Sequence, residues 1–160
     1  MRGNRILLTQ DRAFRVEGYV ESGQTFKPGQ IVQYDYTLPL ISGRPQAKVY
    51  TPGSDGAKPV GPYIVVEEDI HKGDAAIGAT YAAGEHFFGC IPIMGCELNL
   101  LLQDYGTGTH ARISAGDQLE VQSGKGTVQT VTGSPASIVA VAAETIPAPT
   151  SDSLVWAQWA

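Results

Sequence analysis

The side chains best suited to chemistry lie close together in the chain: His86, Cys90 and Cys96, with His71 and His110 elsewhere. A thiolate beside an imidazole is a nucleophile, and a cluster of the two can hold a metal ion. In an extended strand His86 and Cys90 project on the same face, but Pro92 and Gly95 break the path to Cys96, so no ligand geometry follows. The two cysteines also lack the C-x-x-C spacing of a structural zinc site. Buried structural thiols in a reducing compartment are the simpler expectation. Glu67-Glu68-Asp69 offers carboxylates to a cation but lacks the alternating ligands and central glycine of a calcium loop, and it reads as a solvated loop edge. Gly106-Thr107-Gly108-Thr109 and Gly124-Lys125-Gly126-Thr127 lack the glycine–lysine spacing and following helix of a phosphate loop, and read as hairpin turns. No nucleophile elbow or H-E-x-x-H motif is present. The expectation is a protein without catalytic residues, cofactor or metal.

The elements that would position these residues are short. Glycine (19) and proline (10) interrupt the 160 residues so often that the longest stretch free of both runs from Asn4 to Glu17, which leaves almost no room for long helices. Between the interruptions lie runs rich in Val, Ile, Thr, Tyr and Phe. Phe14, Val16 and Val20 alternate with Arg15, Glu17 and Tyr19, the pattern of a half-buried strand. Similar runs occur at 30–36, 48–50, 63–67, 86–91, 97–103, 118–122, 127–131, 137–143 and 154–159. The fold class expected is mainly β: one β-sandwich or β-barrel-like domain over 13–160 with many tight turns and little helix, preceded by an extended N-terminal arm, 1–12. Segment 42–62, dense in glycine and proline, reads as an exposed inserted loop. A turn element recurs in Phe26-Lys27-Pro28-Gly29-Gln30, Tyr81-Ala82-Ala83-Gly84-Glu85 and Ile113-Ser114-Ala115-Gly116-Asp117, each suited to a type II turn with glycine at positive φ. Its unequal spacing implies no solenoid.

Charge and hydropathy narrow the partners. A formal net charge of −5 leaves no basic footprint for phosphate backbones, so no direct nucleic-acid partner is expected. Ile6-Leu7-Leu8 is too short for a signal-peptide core, and no run approaches a membrane span, so a soluble protein with no membrane partner is expected. Two features point instead to adhesive surfaces. The arm combines Arg2, Arg5 and Arg12 with Ile6, Leu7 and Leu8, a composition that can order on a neighbour or form the first strand of the same domain. Trp156 and Trp159, three apart, face opposite sides of a strand, so that one of them, Trp156, is available to a partner, or the pair is simply a core Trp and a partly exposed one.

From about Tyr63 onward the order of motifs resembles the small head decoration, or cement, proteins of tailed bacteriophages. The stretches are Ile64-Val65-Val66-Glu67-Glu68-Asp69, Tyr81-Ala82-Ala83-Gly84-Glu85 and Gly95-Cys96-Glu97-Leu98-Asn99-Leu100-Leu101-Leu102. Then come Ser114-Ala115-Gly116-Asp117-Gln118-Leu119, Gly124-Lys125-Gly126-Thr127-Val128 and Ile138-Val139-Ala140-Val141-Ala142-Ala143-Glu144. Cysteine at Cys96 and the long segment 42–62 depart from the family pattern. The resemblance implies a β-rich body on the outer surface of the virion capsid, made in the host cytoplasm, with the major capsid protein and its own copies in a homotrimer as partners. Its role would be to stabilise the expanded head, and it implies no catalytic residue. Arg2, Arg5, Ile6, Leu7, Leu8, Arg12 and Trp156 are the expected capsid or oligomer interface. The alternative is a β-rich tail or fibre accessory that binds carbohydrate through the aromatic faces of Tyr19, Tyr34, Tyr36, Tyr50, Trp156 and Trp159.

Overall fold

The computed structural model describes residues 6–9, 12–51, 62–68, 80–102, 112–122, 124–131, 138–147 and 152–160. The described residues form strands and turns and contain no α-helix. The strands are β1 (Ala13–Val20), β2 (Ile31–Asp35), β3 (Gln46–Val49), β4 (Ile64–Val66), β5 (His86–Pro92), β6 (Glu97–Leu102), β7 (Gln118–Val121), β8 (Val128–Thr130), β9 (Ile138–Ala142) and β10 (Ser153–Trp159). They close into two barrels, β1-β3-β2-β4-β5 and β6-β8-β7-β9-β10. The expected mainly β architecture is present, with the barrel built twice.

The second barrel repeats the first strand for strand. Each has one parallel seam, β1 with β3 and β6 with β8, and antiparallel pairs elsewhere. The registers superpose: Val20 meets Ala47 as Leu102 meets Val128, Tyr34 meets Ala47 as Val121 meets Val128, and Val65 meets Cys90 as Val141 meets Gln158. Bonds outside the ladders repeat too. The Tyr50 N–H donates to the Ile31 carbonyl as Val131 does to Gln118, and Glu67 donates to Phe88 as Ala143 does to Trp156. Two copies of the recurrent turn, 26–30 and 113–117, occupy equivalent places, each closing a bridge, Phe26 to Tyr81 and Ile113 to Ile146. In both turns a side chain three residues on caps the first N–H, Gln30 Oε1 on Lys27 and Asp117 Oδ2 on Ser114.

Each barrel encloses its own apolar interior, but volume is distributed differently. In the first barrel Phe26, Tyr81 and Phe87 fill the centre, and glycine makes room for them: a Cβ on Gly18 would stand 2.8 Å from Phe87 Cε1. Register places Leu100 where the first barrel has Gly18, Ala157 where it has Gly89, and Val155 where it has Phe87. One large ring with two glycines has become three medium side chains, a redistribution that dense packing permits so long as total volume is kept.

The barrels join where the first enters the seam of the second. In the first barrel the Tyr19 N–H donates to the Pro45 carbonyl across the parallel seam. The matching groups of the second, Leu101 N–H and Gly126 carbonyl, instead bond Gly29 O (3.0 Å) and Ile31 N–H (2.7 Å). The backbone of 29–31 thus wedges between β6 and β8, whose ladder is reduced to the Leu102–Val128 pair. Only glycine fits at the wedge: Gly126 has φ 63° and its Cβ would lie 2.5 Å from Ile31 O. Ile31, Val65 and Cys90, facing out of the first barrel, join the second barrel's interior in one core.

Candidate interaction surface

Residues 6–9 of the N-terminal arm lie on the body. Leu8 N–H donates to Glu97 O (3.0 Å), Asn99 N–H donates to Ile6 O (2.8 Å), and Leu7 bridges Leu98 antiparallel. Ile6 is fully buried and Leu7 is 5% exposed, so both belong to the core, which corrects their expected place in an outward interface. Leu8 is half-buried and Arg12 exposed, its guanidinium over Gly95, while Arg2 and Arg5 lie outside the described residues. Segment 42–62 is likewise not all loop: it contains β3, with Ala47 and Tyr50 buried, and 52–61 lie outside the described residues. Trp159 points inward and meets the Tyr63 ring at 5.8 Å, and Trp156 is half-buried on the opposite face, its main-chain N–H 2.7 Å from Glu144 Oε1.

The acidic run also differs from a solvated edge. Glu68 Oε2 accepts the Ile6 N–H at 2.9 Å and fastens the arm. Glu67 is buried, 3.5 Å from Arg15, and burial pushes its carboxyl above the ordinary range although Arg15 pulls the other way. Asp69 lies outside the described residues.

The imidazole and thiols stand in separate surroundings. His86 Nε2 is 3.2 Å from Glu17 Oε2, which also receives the Arg44 guanidinium at 2.6 Å, and its ring packs on Tyr19 and Phe88. Cys90 is buried between the barrels, where desolvation foremost and the Glu67 charge next push its thiol pKa up. Cys96 is buried too, with Thr9 Oγ1 at 3.7 Å from its sulfur. A thiol held protonated is a poor nucleophile. The described residues contain no group of three or more His, Cys, Asp or Glu able to hold a metal. His71 and His110 lie outside the described residues.

The exposed apolar side chains gather at one end of the first barrel. Phe14 continues the inward stripe of Gly18 and Val16 beyond the barrel's rim and is 66% exposed. It pairs with Ile91, and Ile93, whose N–H donates to Arg12 O, comes next on the same stripe, followed by Met94 at 79% exposure. On β2 the inward stripe Val32, Tyr34 runs out likewise into exposed Tyr36, its ring 5.9 Å from that of Tyr34. Leu40, also exposed, lies on the hairpin between β2 and β3, which the Ile41–Arg44 bridge closes. Tyr34 anchors this hairpin by donating its hydroxyl to Glu17 O at 2.8 Å; burial, with the nearby Tyr36 and Glu17, pushes its pKa up to about 12. Sequence alternation alone identified Phe14 as an inward residue, but only closure of the barrel shows that the rim falls short of it.

No family model matches the chain, and no curated protein matches it. Among solved structures the fold is similar to the N base of the head fiber gp8.5 of bacteriophage phi29, at TM-score 0.53 and 11% identity, over 92% of this chain and 94% of that one. The likeness therefore spans both barrels, and at this identity it is one of fold.

Proposed function

We propose that this chain is a structural protein of a bacteriophage head, binding the outer surface of the capsid and stabilising the expanded shell, with the major capsid protein as partner and its own copies beside it in a trimer. The observation that carries this reading is the end-to-end fold likeness to a phage head-fiber base. The motif order from Tyr63 onward resembles head decoration proteins and points the same way. The exposed rim of Phe14, Ile93 and Met94 supplies apolar contact surface. A ligand that binds only the expanded lattice stabilises that state by mass action, and symmetry repeats each small contact many times. Net charge −5 suits a place outside the shell rather than against packaged DNA.

Cosedimentation of the purified chain with expanded heads and with unexpanded precursors of the phage that encodes it tests the reading. Binding to expanded heads is expected; failure to sediment with either removes it. The carbohydrate-binding alternative rests on Tyr36, exposed and edge-on to Tyr34, and glycan binding without affinity for heads would favour it.

A further inference from the structure

The internal repeat makes one absence visible. On β6 the backbone groups of Glu97 and Asn99 point away from β10, and residues 6–8 of the arm cover them as an added antiparallel strand. The registers equate Glu97 with Arg15, Leu98 with Val16 and Asn99 with Glu17 on β1. Even-numbered residues of β1 bond to the β5 side, as Ile93 N–H to Arg12 O and Val20 N–H to Glu85 O show. Odd-numbered ones turn to the other edge, where Tyr19 meets Pro45 and Glu17 O receives the Tyr34 hydroxyl. Short of that point β3 has ended. Among the described residues no hydrogen bond reaches the main-chain groups of Arg15 or the N–H of Glu17. The side chains along this edge are open as well, Phe14 and the Arg15 side chain each 66% exposed.

We propose that the edge of β1 at 13–17 is a strand-acceptor site that takes an extended segment of another polypeptide, antiparallel to β1 and with a short apolar run in the manner of Ile6-Leu7-Leu8. The occupant is argued from the sister barrel, where the equivalent edge holds a strand of that kind and the residue facing Leu98 is the buried Leu7. On β1 the corresponding residue of the added strand faces Val16, and the residue two further along that strand faces Phe14. Main-chain hydrogen bonds supply affinity and the apolar positions supply selectivity, the mode of β-strand addition. The proposal deepens the capsid-binding reading and rests on it only for who supplies the strand.

The test uses the full chain and a synthetic peptide of its own residues 4–9, read by amide hydrogen exchange. At saturating peptide the Arg15 and Glu17 amides are expected to slow by about tenfold or more. Unchanged exchange there, with or without displacement of the chain's own arm from Glu97 and Asn99, overturns the proposal. Arg15→Pro removes an N–H that no ladder uses, together with the Arg15–Glu67 ion pair, and Arg15→Ala, which loses the ion pair but keeps the N–H, is its control; Arg15→Pro alone is expected to lose the peptide effect and to weaken cosedimentation with expanded heads by about tenfold. Wild-type and Arg15→Pro chains that bind heads equally well refute the acceptor edge and leave the capsid reading standing. If neither binds heads, the capsid reading fails and the peptide result alone decides the edge.

Discussion

Gly126 and Gly124 lie two residues apart in the β7–β8 connection, both at positive φ, yet they carry different loads. Gly124 has open space around its missing Cβ, so Gly124→Ala is expected to cost about 1–2 kcal/mol, the backbone penalty alone. Gly126→Ala adds collision with the Ile31 carbonyl at the barrel junction and is expected to cost about 3 kcal/mol or more. Urea unfolding of the two variants measures the difference; equal losses would mean that the wedge of 29–31 is not tight. Glu67 makes a pH prediction. Its carboxyl is raised in the folded chain, so the native state holds the proton more firmly than the unfolded one, and stability from this group falls as pH rises from the ordinary carboxylate range through the raised value. Glu67→Gln is expected to remove that part of the decline, leaving the variant more stable than wild type at neutral pH by thermal melting. Asp35 has the opposite sign: Lys48 foremost, with Thr37, holds its carboxyl down at about 2, so its contribution is present above the ordinary value and lost as pH falls towards that figure.

The arm shows where elements were legible and where not. Alternation, turn chemistry and the absence of room for helix are local properties, and they placed a run of β-sequence at each of β1 to β10. The partners of Ile6-Leu7-Leu8 are not local: three apolar residues fit a docking arm or a first strand equally well, and only the β6 edge, some ninety residues away, decides between them. Deleting residues 1–8 is therefore expected to destabilise the whole protein by about 3–5 kcal/mol through loss of two buried aliphatic side chains, whereas a free arm would leave the melting temperature unchanged. The duplication was hidden for a related reason. Phe87 with Gly18 and Gly89 on one side, Val155 with Leu100 and Ala157 on the other, solve one packing problem with no shared residue, so the repeat survives in register and not in residue identity. The one sequence trace of it was the turn shared by 26–30 and 113–117. Of the candidate surface Arg12 and Tyr36 were legible, while Phe14 read as an inward strand residue, because the apolar rim depends on where the first barrel ends.

For the whole molecule, the two barrels are one folding unit. The second needs residues 6–9 on its β6 edge and 29–31 in its seam, both supplied by the first half of the chain. A fragment of residues 93–160 is expected to be unfolded by circular dichroism, and the intact chain to melt in a single transition; two separate transitions would show independent barrels. A body so braced suits a part that must present a surface and bear load. The most direct measurement of that role is the density of phage heads assembled with and without this chain, viewed by cryo-electron microscopy. The account predicts added density on the outside of the shell, in contact with capsid subunits, in the first sample alone. Identical heads in the two samples, with the chain left in the soluble fraction, would contradict it.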